Sequence, residues 1–93
     1  MIGRFLEAKS AESGSAFLTI SAYETDIVQF LNFSGISSFS ELTEERIEKF
    51  IQNLQTQQYS PKSIARKLSA IKEFCKFLYS EKIITDNPSS NIL

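Results

Sequence analysis

The residues best suited to chemistry lie in one run, 60–82 (SPKSIARKLSAIKEFCKFLYSEK). Lys62, Ser63, Arg66 and Lys67 fall within two turns of the start of a predicted helix, and Ser69 follows one turn later. The first N–H groups of a helix have no internal partner, and the aligned peptide dipoles concentrate positive charge there. An exposed helix start ordinarily favours acidic residues, and this one has none. Cations beside such a start suit an anion, most simply a phosphate. The competing explanation is an ordinary solvated helix face. The charge map weighs against it: residues 1–59 carry a net charge of −4, residues 60–82 carry +4 and residues 83–93 carry −1. A basic element on an acidic body points to an oriented contact with an anion such as nucleic acid.

Other chemistries are poorly provided for. There is no histidine, the commonest general base and metal ligand. One cysteine cannot form an internal disulfide or complete a familiar zinc pattern, and Cys75 falls on an apolar stripe as a core residue. Three glycines do not make a phosphate-binding loop. Glu44 and Glu45, with Glu48 nearby, resemble metal ligands only superficially, because the first two suit the positive end of a helix. Tyr23, Tyr59 and Tyr79 lie at or beside apolar stripes and read as core or staple residues. The chain therefore reads as neither an enzyme nor a cofactor or metal protein, with no small-molecule substrate. No apolar run approaches the ~20 residues of a membrane span. The N-terminus leads straight into a charged amphipathic segment without a signal peptide, so the expectation is a cytoplasmic protein. The sequon at Asn32 is then a chance match.

The elements that must hold the basic run are helical. Ser60 is a good N-cap and Pro61 suits the first helical position. Tyr59 and Ile64 are placed to form a hydrophobic staple. Ile64, Leu68, Ile71, Phe74, Cys75 and Leu78 recur at spacings of three and four, so they share a buried face. The opposite face carries Lys62, Arg66, Ser69, Glu73 and Lys76, with Ser63 and Lys67 on one flank and Lys72 on the other. Upstream, a short helix is predicted over residues 2 to about 9, with a small-residue break at 10–15. A second helix is predicted over 17 to 33, buried through Ile20, Tyr23, Ile27, Phe30 and Leu31 and stopped by Gly35. Residues 37–40 read as a loop. Thr43 caps a third helix to about Gln57, with Leu42 and Ile47 as its staple and Ile47, Phe50, Ile51 and Leu54 as its stripe. The fourth helix is predicted to reach about Lys82. Asn87–Pro88 blocks further helix, and residues 89–93 read as a tail or linker. The fold class is all-α, a compact bundle of four to five helices.

With the helices placed, the chain resembles the N-terminal core-binding domain of tyrosine recombinases and phage-type integrases, Xer-like members above all. TISAYETDIVQF at 19–30 is similar to the family pattern T-L-x-x-Y-x-x-D-L-x-x-F. LTEERIEKF at 42–50 is similar to L-T-x-x-x-I-x-x-F, and YSPKSIARKLSAIKEF at 59–74 to L-S-P-x-S-I-x-R-x-L-S-A-L-R-x-F. Phe77–Leu78 and Asn87–Pro88 fall where the family has F-L and N-P. The resemblance covers nearly the whole chain and implies a SAM-like helical domain over residues 1–86. Residues 87–93 would begin a linker to a catalytic domain absent here.

The resemblance implies that the domain forms one arm of a clamp on double-stranded DNA, with other recombinase subunits as partners in a synaptic complex. Carried over position by position, the DNA-facing residues are Thr19 and Ser21 on the second helix and Lys62, Ser63 and Arg66 on the fourth, followed by Lys67 and Ser69. Where many relatives place Arg after the tyrosine of the second helix, this chain has Glu24, close to Asp26, which argues against a strong contact from that helix and predicts weak binding by the fragment. For Thr19 and Ser21, ordinary helix-start polarity is the alternative. With about three phosphates contacted, log K would fall against log salt with a slope near −3. The rival to DNA binding is a helical protein–protein module that mediates self-association.

Overall fold

The computed structural model describes the backbone of residues 2–13 and 17–92, and side chains there outside residues 10–19. Its elements are α1 (Ile2–Ser13), α2 (Phe17–Ser34), a short 3-10 turn (Phe39–Glu41), α3 (Glu44–Thr56) and α4 (Pro61–Ser80). There is no strand among the described residues. The expected all-α bundle is therefore present, with α4 packed against both α2 and α3, and α1 against α2.

Local chemistry accounts for most of the boundaries. Thr43 accepts the Arg46 N–H at 3.2 Å and Ser60 accepts the Ser63 N–H at 3.2 Å, so both predicted N-caps are in place. Gly35 has φ +62 and its N–H reaches the Leu31 carbonyl at 3.1 Å, closing α2 as a left-handed cap. The predicted loop at 37–40 contains a small capping box. Ser38 caps the 3-10 turn, and the Glu41 carboxylate accepts the N–H groups of Ser37 and Ser38 at 2.9 Å each.

Three stretches differ from expectation. α1 runs to Ser13 rather than stopping near Lys9, because Ala11 and Glu12 are good helix formers; Gly14 and Ser15 lie outside the described residues. α4 stops at Ser80, two residues early. It ends, as α3 does, in a pair of nested backbone bonds around a left-handed residue that is not glycine. These residues are Gln58 at φ 64 and Lys82 at φ 59, flanked by Tyr59 N–H to Leu54 C=O at 3.1 Å and Ile83 N–H to Leu78 C=O at 2.9 Å. Holding a side chain in that region costs roughly 1–2 kcal/mol. Residues 87–92 do not trail away. Asn87 Oδ1 accepts both the backbone N–H and the hydroxyl of Ser89, at 2.9 and 2.7 Å, and turns the chain back along α4. Ser89 is buried, Ile92 packs on the core, and Lys72 donates to the Ile92 carbonyl.

The core is aromatic at both ends. Phe5 meets Phe74 edge-on at 5.3 Å and Phe77 at 5.6 Å, while Phe30 lies 5.3 Å from Phe50, which an exposed Phe33 also approaches at 5.4 Å. Cys75 is buried, as its place on the stripe predicts. Tyr79 corrects the expectation: it is 50% exposed on the outer side of α4. Tyr23 does pack on the core, 6.4 Å from Phe5.

Candidate nucleic-acid interface

The first two turns of α4 lie against the middle of α2, at Asp26 and Gln29, rather than against its start. Ser21 is five residues before Asp26, about 7.5 Å back along the helix axis. It is half-buried, and its main-chain carbonyl accepts the Thr25 hydroxyl at 3.1 Å. Thr19 belongs to α2, but its side chain lies outside the described residues. The α2 candidates and the α4 candidates thus form two patches along one helix pair, not a single cluster.

On α4, Lys62 and Ser69 are exposed, and Lys62 has no hydrogen-bond or ion-pair partner among the described residues. Ser63 is half-buried at the cap, with the Ser60 hydroxyl donating to its Oγ at 3.0 Å. Arg66 has 54% of its side chain exposed and is held along one edge. Its Nε–H donates to Asp26 Oδ2 and its Nη2–H to Asp26 Oδ1, both at 3.1 Å. This is a two-bond, charge-assisted fork.

Lys67 corrects the expectation. It does not stand on the exposed flank but is 5% exposed. Its ammonium donates to Asp26 Oδ1 at 2.8 Å and Gln29 Oε1 at 2.7 Å, and sits 5.3 Å from the centre of the Tyr59 ring. Tyr59 in turn accepts from Gln29 Nε2 at 3.3 Å, so the predicted staple residue borders a polar network. Position 67 falls between Ile64 and Leu68 on the inward side of the helix. The aliphatic stem is buried there and the charge is met by the carboxylate.

Asp26 is the residue that sequence reasoning missed. In sequence it stands beside Glu24 as a second acidic residue on α2, yet it is fully buried, while Glu24 is exposed. A signal was available. Asp26 lies in the stripe of Tyr23, Ile27 and Phe30, and Lys67 lies in that of Ile64, Leu68 and Ile71. Opposite charges set into two apolar stripes are expected to pair.

Elsewhere the polar groups serve the fold. Arg46 donates to the Ser34 carbonyl at 2.8 Å near the end of α2. Glu45 pairs with Lys49 at 3.0 Å, and that hydrogen bond holds its carboxyl below the usual range. Among the described residues, no group of three or more His, Cys, Asp or Glu is placed to hold a metal ion. No helix there is long and apolar enough to cross a membrane.

Residues 2–82 match the family described as phage integrase, N-terminal SAM-like domain. The chain is 35% identical over 92 residues to tyrosine recombinase XerC of Herpetosiphon aurantiacus. It is 36% identical over 87 residues to XerD of Rhizobium meliloti and 37% over 90 to XerD of Agrobacterium fabrum. These alignments take in 96%, 91% and 95% of this chain but only 30%, 28% and 27% of the relatives. The chain thus spans less than a third of their length. No solved structure gives a significant match.

Proposed function

This chain belongs to the phage integrase N-terminal SAM-like domain family, and from that premise we propose that it grips duplex DNA as the non-cutting arm of a site-specific tyrosine recombinase. These 93 residues hold the N-terminal domain and not the catalytic domain of such an enzyme. The observation that carries the reading is the start of α4. There Lys62, without a partner among the described residues, and a half-exposed Arg66 face solvent on an otherwise acidic chain. Lys62 supplies a point charge for a phosphate, and Arg66 suits a phosphate or the major-groove edge of guanine. The hydroxyls of Ser63 and Ser69 extend the phosphate contact along α4, and Thr19 and Ser21 add to it from α2. Lys67 supports this surface from below. In the recombinase, the partners are other subunits bound to the same DNA in a cytoplasmic complex, and residues 87–93 begin the connection to the catalytic domain.

With Lys67 withdrawn, two cations remain for phosphates, and the slope of log K against log salt becomes about −1.8 rather than −3. Fluorescence anisotropy of a labelled duplex titrated with the domain, between about 50 and 200 mM salt, measures it. Weak binding with a slope near −2 is the expected result. Absence of binding, or binding indifferent to salt, would overturn the reading. Sedimentation without DNA tests the rival: self-association together with absence of DNA binding would favour a protein–protein module.

A further inference from the structure

A guanidinium has five N–H donors in a fixed plane. Asp26 takes two of them, along the edge shared by Nε and Nη2. The three that remain include one each from Nη1 and Nη2, a second parallel pair at the far end of the plane. That free edge has the spacing that a phosphate or a guanine O6/N7 pair accepts with two bonds. Asp26 is fully buried while the Arg66 side chain is 54% exposed, so the fork grips from beneath and leaves the outer end in solvent.

The charge balance matters equally. A lone carboxylate beside Arg66 would cancel the charge that attracts DNA. Here Lys67 lies 2.8 Å from the same Oδ1 that receives Arg66 Nη2, and it is itself buried. One carboxylate and two cations leave a net charge of +1, and the exposed member of the trio is Arg66. The buried lysine neutralises the buried aspartate, and the arginine presents its charge outward.

We infer that Asp26 is a positioning residue for DNA binding: its carboxylate, neutralised from within by Lys67, holds Arg66 with one donor edge turned toward the duplex before the duplex arrives. This rests on the DNA-binding reading above. Pre-ordering a long, rotamer-rich side chain saves entropy that would otherwise be lost on binding, which corresponds to roughly a two- to tenfold gain in affinity.

The test has a sign that separates positioning from charge. Asp26→Asn removes a negative charge near the DNA, so electrostatics alone would tighten binding. Positioning requires the opposite. Anisotropy titrations of the folded domain, with circular dichroism confirming the fold of each variant at the assay temperature, should show Asp26→Asn weakening binding about two- to tenfold. Arg66→Ala should weaken it about fivefold or more. In the Arg66→Ala background, adding Asp26→Asn should change binding by less than about twofold, because the side chain to be positioned is gone. If Asp26→Asn leaves binding unchanged or tighter while Arg66→Ala weakens it, positioning is overturned and DNA binding stands. If Arg66→Ala has no effect, or the unaltered domain does not bind, both fall. Should Asp26→Asn not fold, the unaltered domain still decides. The Arg66 Nε–H resonance should resist exchange with water both alone and with duplex bound. Its loss in either state would mean that Asp26 does not hold the guanidinium where DNA binds.

Discussion

The two halves of α4 pack against the same body by different means. From Ala70 to Leu78 the inward residues are Ala70, Ile71, Phe74, Cys75 and Leu78, all apolar and fully or almost fully buried. In the first two turns the buried group is Lys67, paired with Asp26, beside an Ile64 that is only partly buried. Apolar burial is strong but non-directional, and it tolerates some sliding provided volume is filled. A buried carboxylate gripped by three donors permits one alignment. Its net contribution to stability is small, since desolvating the charges offsets most of their attraction. One half of the helix therefore supplies stability, and the other sets which side chains face out and where.

Truncation in each half tests that division. Phe74→Ala, which removes a ring packed on Phe5 and Phe39 at 5.3 and 5.7 Å, should cost about 4 kcal/mol in urea unfolding. Much of a small domain's stability lies within that figure. Asp26→Ala should cost about 3 kcal/mol, because Lys67 is left buried without its carboxylate. Replacing the pair together, Asp26→Leu with Lys67→Met, should return stability to within about 1 kcal/mol of the starting protein. The roughly two- to tenfold loss of DNA affinity should persist, since Arg66 would still lack its support. A double variant as unstable as Asp26→Ala would mean that the charged half contributes stability of its own.

The same contrast explains which features could be read from the chain beforehand. Stripes at spacings of three and four, the caps Thr43 and Ser60, and Gly35 are local signals, and they placed α2, α3 and α4 to within about two residues. The ends of α3 and α4 were harder to see, because Gln58 and Lys82 occupy left-handed positions where glycine is the usual marker. The turn at 87–92 depends on Asn87 bonding Ser89 and on burial against α4, which local sequence does not display. At the site, exposed Lys62 followed from helical phase alone. Lys67 shares the phase of the apolar stripe, but a charge there reads as buried only once its partner Asp26, 41 residues away, is paired with it. Grouping charges by sign along the chain hid a pair that forms only across two helices.

Cys75 gives a smaller effect with a pH signature. Burial pushes its thiol up from 9.0 to about 11, opposed only in part by a hydrogen bond with Ser89. A raised folded value means that the neutral thiol is favoured in the folded state. The contribution is complete below about pH 9 and is lost as pH rises toward about 11, amounting to roughly 2–3 kcal/mol. Cys75→Ala creates a small cavity but should remove this component of the alkaline decline. Urea unfolding of both proteins from pH 8 to 10.5 compares the slopes directly; parallel curves would place the thiolate penalty elsewhere. At pH 8 a thiol reagent should label Cys75 only as fast as the domain opens.

The smallest effect on stability sharpens the comparison most. Lys62 and Lys67 are five residues apart on one helix, one exposed without a partner among the described residues and the other buried in the Asp26 network. Lys62→Ala should change unfolding free energy by less than about 0.5 kcal/mol. It should nevertheless weaken DNA binding a few-fold and reduce the magnitude of the salt slope by about 0.9, the share of one phosphate contact. Lys67→Met should lower stability more, because a buried carboxylate loses one of its two cations; it removes no phosphate contact of its own, so the salt slope should fall by less than for Lys62→Ala, and only through the Arg66 charge that Asp26 then offsets. The slope counts cations at phosphates, whereas unfolding counts groups buried in the fold. If both substitutions shifted the slope equally, Lys67 would have to leave Asp26 and reach the duplex. The division of α4 into a stabilising half and an orienting half would then not hold once DNA is bound.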